Sequence, residues 1–423
     1  MAIRLTAPRV ARSVATAALV AAAAAFGACS SGQQSNTPGV TVRDSAGVNI
    51  VLHSAEAMAA LPVWTIADAP VEEVTAGADS GFSAISDVLR RRDGRYVISD
   101  RQRRDIRLYE AGDGVGQVIA RSGRGPGEVG MVSLLQRLPG DSLGYADGNQ
   151  LRYSIFAPDG RFVRQVNYPD FDQSRLPSVI GRLDDGRLLG YVDAPLTPDL
   201  AKSDTVFRQA MALITIATTS DRGAMVDTLA SVPDQEIYYQ TTTEGGQTRP
   251  DLYPLRFGKV TRVATDGRRV VVTTNDGMNL LEFENGRLIR RVQAAERVAP
   301  FTAEEKARLF ADLDAQMDAS PMPPAVKDAN RRMRETWRFA THLGHIERLF
   351  LGDDGTIWGE APTVTQRDAR RYIVFDSTGL ALARVHVPSP IVVRRATANE
   401  VIGVTLDEND VPRVARWKLR PRY

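Results

Sequence analysis

Side chains able to do chemistry are thinly spread along this 423-residue sequence, and arginine dominates them. Histidine occurs four times, at His53, His342, His345 and His386. A protein-held zinc needs three or four converging ligands, and only His342 and His345 lie close in the chain. Asp407-Glu-Asn-Asp410 offers oxygens of the kind calcium takes, and it reads equally as the polar tip of a hairpin. Calcium is therefore the one cofactor for which the sequence offers ligands. Gly123-Arg-Gly-Pro-Gly127 lacks the Lys-Ser/Thr of a phosphate loop and precedes no helical pattern, so it suits a tight turn stiffened by Pro126. No Gly-x-Ser-x-Gly elbow occurs. What remains is a set of arginines among acids and an amide: Asp100, Arg101, Arg103, Arg104, Arg121, Arg124, Glu128, Asp147 and Asn149. Guanidinium groups are planar, permanently charged donors that fit carboxylate or phosphate. Asp100 and Asp147 could instead accept backbone N–H groups within their own loops.

The elements that would position these residues are short strands. From about residue 81, alternating apolar runs are separated by Asp-Gly, Asn-Gly and Pro-Asp-Gly turns, the pattern of hairpin-connected strands. Asp93-Gly-Arg-Tyr-Val-Ile-Ser-Asp100 with Ile106-Arg-Leu-Tyr109 forms one copy. Gly140-Asp-Ser-Leu-Gly-Tyr-Ala-Asp147 with Tyr153-Ser-Ile-Phe156 forms the next, and weaker copies follow around Asp266-Gly and Asp354-Gly. Four strands per copy in radial repetition predict an all-β fold, a β-propeller. Copies begin near residues 83, 130, 177, 258 and 345, and an incomplete one near 391 lacks an outer strand. Six blades follow, with seven as the alternative because residues 195 to 255 are irregular. The segment Val40 to Leu52 is expected to supply the missing strand. On this fold the loops carrying Asp100, Arg103, Glu128, Asp147 and their neighbours fall on one rim.

Ser122-Gly-Arg-Gly-Pro-Gly-Glu128, followed by Tyr145-Ala-Asp147-Gly-Asn149-Gln-Leu-Arg152 and Phe156-Ala-Pro-Asp-Gly-Arg-Phe162, resembles the NHL repeat. The match is good over about residues 90 to 165 and loose elsewhere, with Val129 in place of the usual aromatic residue and Gln150 in place of histidine. The chain is most similar to NHL-like six-bladed propeller lipoproteins of the bacterial envelope. That resemblance implies a binding or scaffolding module for a protein, peptide or glycan. It also brings an alternative, a metal-dependent hydrolase or lyase of the lactonase or amidating-lyase type with its site at the propeller axis.

Arg4, Arg9 and Arg12 precede an apolar run from Val14 to Phe26 with no acid before it, the pattern of a secretory signal. The run is too short to span a bilayer core, which takes roughly 20 residues. It ends at Gly27-Ala28-Cys29, similar to a bacterial lipobox, and Cys29 is the only cysteine. Residues 1–28 are thus expected to be a lipoprotein signal peptide and residues 29–39, rich in Ser, Gln and Pro, a flexible tether. Residues 40–423 form the propeller, held to a membrane through lipid on Cys29 and lying outside the cytoplasm. A cysteine-free body suits that compartment. Without the three signal arginines, 50 basic residues face 51 acidic ones, a balance that argues against nucleic acid as a partner.

Residues 302–340 break the strand pattern. Thr302-Ala-Glu-Glu305 is a capping box, and Leu309, Leu313 and Met317 recur at helical spacing. Pro321-Met-Pro-Pro324 ends that helix, and Val326, Ala329, Met333, Trp337 and Ala340 predict the apolar face of a second. The result is a helical hairpin lying over one rim, with its apolar stripes against the blades.

Overall fold

The computed structural model describes residues 37–77, 81–168, 177–194, 204–218 and 224–422. The predicted signal peptide, most of the tether and Cys29 lie outside the described residues. Short antiparallel strands dominate, and the second and third strands carry most of the burial. All five residues of Tyr96–Asp100 and all five of Arg152–Phe156 are inaccessible, as expected of strands covered on both faces by neighbouring sheets. Tight turns set the register; Asn285-Gly286 joins two strands with both residues at positive φ (51° and 77°), the geometry that makes Asn-Gly a preferred hairpin turn.

Sheet I orders Ile85–Arg90, Tyr96–Asp100, Asp105–Tyr109 and Gln117–Ala120. Sheet II orders Val132–Leu138, Ser142–Asp147, Arg152–Phe156 and Phe162–Asn167. Sheet III has five strands: Ser178–Arg182, Leu188–Asp193, Thr205–Thr218, Ala224–Glu244 and Gln247–Pro254. Sheet IV runs Arg262–Thr265, Arg269–Thr273, Met278–Glu284 and Arg287–Ala294, then adds Val48–His53 and Val40–Ser45 outside. Most of the remaining strands form one continuous path. Sheet V (Arg348–Leu351, Ile357–Glu360, Arg370–Phe375, Ala381–Val387) is joined through Val63–Ile66 to sheet VI (Pro412–Arg422, Glu400–Leu406, Val392–Ala396).

The first strands of these sheets touch in order, from Ile85–Arg90 through Val132–Leu138, Ser178–Arg182, Arg262–Thr265 and Arg348–Leu351 to Val392–Ala396, which returns to Ile85–Arg90. Apart from the cluster under the helical insertion, each apolar cluster among the described residues draws on two neighbouring sheets. Leu89, Val97 and Ile106 meet Leu135, Tyr145 and Phe156 between sheets I and II. Val74, Ile402 and Val414 meet Val88, Tyr96 and Ile98 where the end of the chain rejoins sheet I. This cyclic packing is a β-propeller, with each sheet covering faces its neighbours cannot cover alone.

Closure differs from the sequence expectation. The outer strand of the last sheet is Glu72–Ala76, paired antiparallel with Val414–Arg416 of the C-terminal strand. The Val40–His53 hairpin lies parallel on Arg287–Ala294 of sheet IV instead. Both segments alternate well enough to be strands. What selects the edge is tertiary: Glu72 meets Arg416, Arg90 and Tyr96 there. The irregular stretch after residue 204 belongs to the long outer strands of sheet III, described from residues 205 to 254 with a short gap.

Three α-helices occur among the described residues: α1 (Ala55–Ala59), α2 (Ala303–Ala319) and α3 (Pro324–Glu335). The Thr302 hydroxyl caps α2 by accepting from Glu305 N at 3.2 Å. Leu309, Phe310 and Leu313 of α2 pack with Phe257, Phe301, Phe339 and Val364 on the rim. Salt bridges Arg308–Asp368 (2.5 Å) and Arg367–Asp312 (3.1 Å) pin α2 to the loop after Ile357–Glu360. The stripe predicted for the second helix splits: α3 ends at Glu335, Trp337 beyond it packs against Phe310 and Phe339, and the stripe residues on α3 itself turn away from the blades. Val326 and Met333 are 44% and 55% exposed, while Arg331 and Arg334 turn inward to Asp314 of α2. The acids of α2 attract the cationic face of α3 more strongly than its sparse apolar residues can compete for burial.

Candidate functional site at the mouth of the channel

The sequence-predicted rim residues separate into buried acids and exposed cations. Asp100 is 1% exposed. Its two carboxylate oxygens accept from the backbone N–H groups of Ser83 (2.8 Å), Ala84 (3.1 Å), Gln102 (2.9 Å) and Arg103 (3.0 Å). Burial pushes this carboxyl up, but the donors of Arg103, Ser83 and Ala84 outweigh it and hold it below the usual carboxylate range. Asp147, at the equivalent end of its strand, accepts in the same way from Gly130, Met131, Asn149 and Gln150.

Glu128 accepts from Gly125 N at 2.7 Å across the Gly123–Gly127 turn. Arg152 donates to the carbonyls of Arg124 (3.1 Å) and Glu128 (2.5 Å), fixing the same turn. Gln150, where the NHL pattern has histidine, donates to the Gly123 carbonyl at 2.5 Å. Arg103 is tied to the Tyr109 hydroxyl (3.1 Å) and faces Asp105 (3.5 Å). Arg101, Arg104, Arg124 and Asn149 are exposed. Glu128, Arg124, Asp147 and Asn149 thus share one corner between sheets I and II, while Asp100, Arg101, Arg103 and Arg104 occupy a separate loop.

The axis presents a different set of charges. A ring of sheets leaves the inner edge of every first strand unpaired, and buried backbone groups there need partners. Side chains of adjacent first strands supply them. Arg348 donates to the Val393 carbonyl (2.5 Å) and Arg394 to the Ile85 carbonyl (3.2 Å). Arg395 donates to the Leu135 carbonyl and to Asp87, both at 2.9 Å, and Asp87 in turn accepts from Leu135 N (3.0 Å). Gln136 bridges the Arg182 carbonyl (2.7 Å) and N–H (2.8 Å). Glu360 is 3% exposed and held by Arg348 (2.7 Å) and Arg370 (2.5 Å). Burial, followed by the charge of Arg348, lowers the pKa of Arg394.

The mouth on the side where the first strands begin has two unlike halves. One is a recess of about 560 Å³ lined by Leu134, Leu151, Tyr168, Val179, Ile180, Tyr191 and Val263, drawn from the inner strands and rim loops of sheets II to IV. On the other side, Arg262 and Glu347 stand where the first strands of sheets IV and V begin. Glu347 is exposed, yet loss of hydration and then the charge of Glu360 raise its carboxyl above the usual range. Burial lowers Arg262, with Glu347, Tyr191 and Asp234 opposing the shift from longer range. Burial and the charge of Asp193 raise Asp234 nearby. A concave, mostly apolar surface bordered by a few placed charges is the ordinary form of a small-ligand site.

No protein-family model matches the chain, and no curated protein is similar to it in sequence. Solved structures do resemble it in fold. An exported protein from Bacteroides fragilis aligns over 85% of this chain and 99% of its own, with 9% identity and a TM-score of 0.42. A gluconolactonase from Xanthomonas campestris aligns over 85% and 97%, with 13% identity and a TM-score of 0.38. Regucalcin from Agrobacterium tumefaciens, a calcium-binding protein, aligns over 86% and 97%, with 10% identity and a TM-score of 0.34. At this distance the likeness assigns no residue a role.

The metal candidates from the sequence do not assemble into a site. Among the described residues no three His, Cys, Asp or Glu side chains are grouped to hold a metal. His345 lines a separate cavity of about 300 Å³ with Glu296, Arg384 and His386. His342 donates to or accepts from the Thr341 hydroxyl at 3.1 Å. At the Asp407–Asp410 tip, one Asp407 oxygen accepts from Asn409 and Val411 N (2.8 and 2.9 Å) and the other pairs with Arg413 (3.0 Å). Sequence reasoning missed the mouth residues. Glu360 was within reach, because it ends its second strand as Asp100 and Asp147 end theirs; Arg262 and Glu347 carry no local signal.

Proposed function

We propose that this protein is a six-bladed, NHL-like β-propeller that works outside the cytoplasm as a binding module, anchored to the bacterial envelope by lipid on Cys29. Its ligand, a protein, peptide or glycan, engages the channel mouth, with exposed Arg101, Arg104, Arg124 and Asn149 available as outer contacts. The cyclic order of four-stranded units supports six blades, with Glu72–Ala76 as the strand that closes the last. The observation that carries the binding reading is the recess of about 560 Å³ at the channel mouth, lined by inner strands and rim loops of neighbouring sheets.

Native mass spectrometry tests it. Protein exposed to a bacterial envelope extract should retain a defined adduct, and Ser178→Trp, which fills the recess from an exposed position, should abolish that adduct while leaving the melting temperature unchanged. Conversion of the retained compound to a product would move the protein to the hydrolase or lyase class. An adduct indifferent to Ser178→Trp would remove the mouth as the site.

A further inference from the structure

Away from the mouth, a cleft of about 300 Å³ lies between sheets IV and V, bordered by the chain segments that lead into and out of the helical insertion. Strand register sets its wall on sheet V. Arg371 and His386 are direct partners on Arg370–Phe375 and Ala381–Val387, so their Cβ atoms stand about 5 Å apart. Two-residue alternation puts Ile373 and Arg384 on the same face. Ile373 and Met278 line the cleft and belong to the apolar cluster between the two sheets. Arg384 is held by Glu296 at 2.7 Å and donates to the Met58 carbonyl at 3.2 Å. Arg297 and Arg371, which also line the cleft, make no side-chain hydrogen bond or ion pair with any described residue. His345 lines it too, with a buried Nδ1 that has no hydrogen-bond partner. Burial, then the charges of Arg371 and Arg384, lowers the pKa of His386, and burial lowers that of His345, so both imidazoles are neutral near pH 7. The guanidinium groups of Arg297, Arg371 and Arg384 then face the one carboxylate of Glu296, a surplus of two positive charges.

We propose that this cleft binds a phosphate monoester carried on a small apolar body, with the phosphoryl group on Arg371 and His386 and the body against Met278 and Ile373. A phosphoryl dianion matches the surplus of charge, and its three free oxygens accept from guanidinium forks and an imidazole N–H together. A carboxylate brings one charge and two oxygens, and leaves one cation of the cleft unanswered. The volume is that of a site for a compact ligand. Arg297 supplies the second unspent guanidinium of the same cleft. The cleft is separate from the mouth, so neither reading depends on the other.

Isothermal titration of the full chain at about pH 7.5 in low salt, with phenyl phosphate, inorganic phosphate and benzoate as probes, tests this. Phenyl phosphate should bind at least about tenfold more tightly than benzoate, the worth of one further charge-assisted hydrogen bond. It should also bind more tightly than inorganic phosphate, which has no apolar surface to bury. Arg371→Met, on an exposed side chain, should bring phenyl phosphate to the level of benzoate, and Arg297→Met, also exposed, should weaken it in the same direction. Ala299→Trp, which fills the cleft from an exposed position, should abolish binding, whereas Ser178→Trp at the mouth should leave it unchanged. Equal affinity for phenyl phosphate and benzoate would overturn the phosphoryl assignment. Equal affinity for phenyl phosphate and inorganic phosphate would overturn the apolar body and identify free phosphate as the ligand. Binding that survives Ala299→Trp, or that is lost in Ser178→Trp, would overturn the cleft as the site, and no binding by any probe overturns the proposal. Melting curves of the four variants that match the parent exclude misfolding as the cause.

Discussion

Replacing Glu72 with Gln asks whether the ring is latched where its two chain ends meet. Glu72 begins the strand that completes the last sheet. Its Oε1 accepts from Arg416 Nη2 at 2.6 Å, and its Oε2 accepts from Arg416 Nε at 3.0 Å and from the Tyr96 hydroxyl at 2.5 Å. Arg90 lies 3.4 Å away on the inner strand of sheet I. The Arg416 hydrogen bonds are the largest influence and hold the Glu72 carboxyl at about 2, against an ordinary 4.5. Taken whole, that difference corresponds to about 3 kcal/mol. A quarter of the side chain remains accessible (25%), and screening by water reduces the contribution to about 1–2 kcal/mol. A carboxyl depressed in the folded state stabilises the fold above its unfolded pKa and loses that contribution as pH falls toward the folded value. At pH 7, Glu72→Gln should therefore lower the melting temperature by about 1–3 °C in a domain of this size. The gap should narrow steadily below pH 4.5. Circular dichroism melts of both proteins across that range provide the assay. A gap as large at pH 3 as at pH 7 would show that the latch does not depend on this charge.

Two further outcomes bear on other parts of the chain. Asp147→Ala should cost about 2–4 kcal/mol, since four backbone N–H groups lose a buried acceptor, whereas Arg104→Ala, on an exposed side chain, should leave urea midpoints unchanged; equal effects would contradict the division of the rim into structural acids and free cations. Cys29→Ser should move the protein from the membrane to the soluble fraction on cell fractionation, and persistence in the membrane would count against the lipid anchor.

Repetition made the fold readable. The Asp-Gly turns and the buried strands after them mark the copies closely: starts expected near 83, 130, 177, 258 and 345 compare with first strands beginning at Ile85, Val132, Ser178, Arg262 and Arg348. Local patterns fix such elements because turn chemistry and two-residue alternation are properties of neighbouring residues. The choice of closing strand is not local. Glu72-Glu-Val-Thr-Ala76 has one large apolar residue, Val74, and its place is set by Arg416, Arg90 and Tyr96, distant in the chain. The α3 face failed for a related reason, because apolar spacing was weighed without the acids of α2 that its arginines would meet.

Arginine content alone could not distinguish structural from functional roles, and the ring explains why. A propeller must satisfy an unpaired inner edge on every sheet, and long donors reaching across to the next strand do so here. These guanidinium groups are consequently spent, and replacing them tests folding rather than recognition. Asp100 and Asp147 are spent in the same sense, on loop N–H groups at the rim. A ligand can draw only on what the scaffold leaves available, which moves the search from these spent charges to the exposed Arg101, Arg104 and Arg124 and to the recess at the mouth.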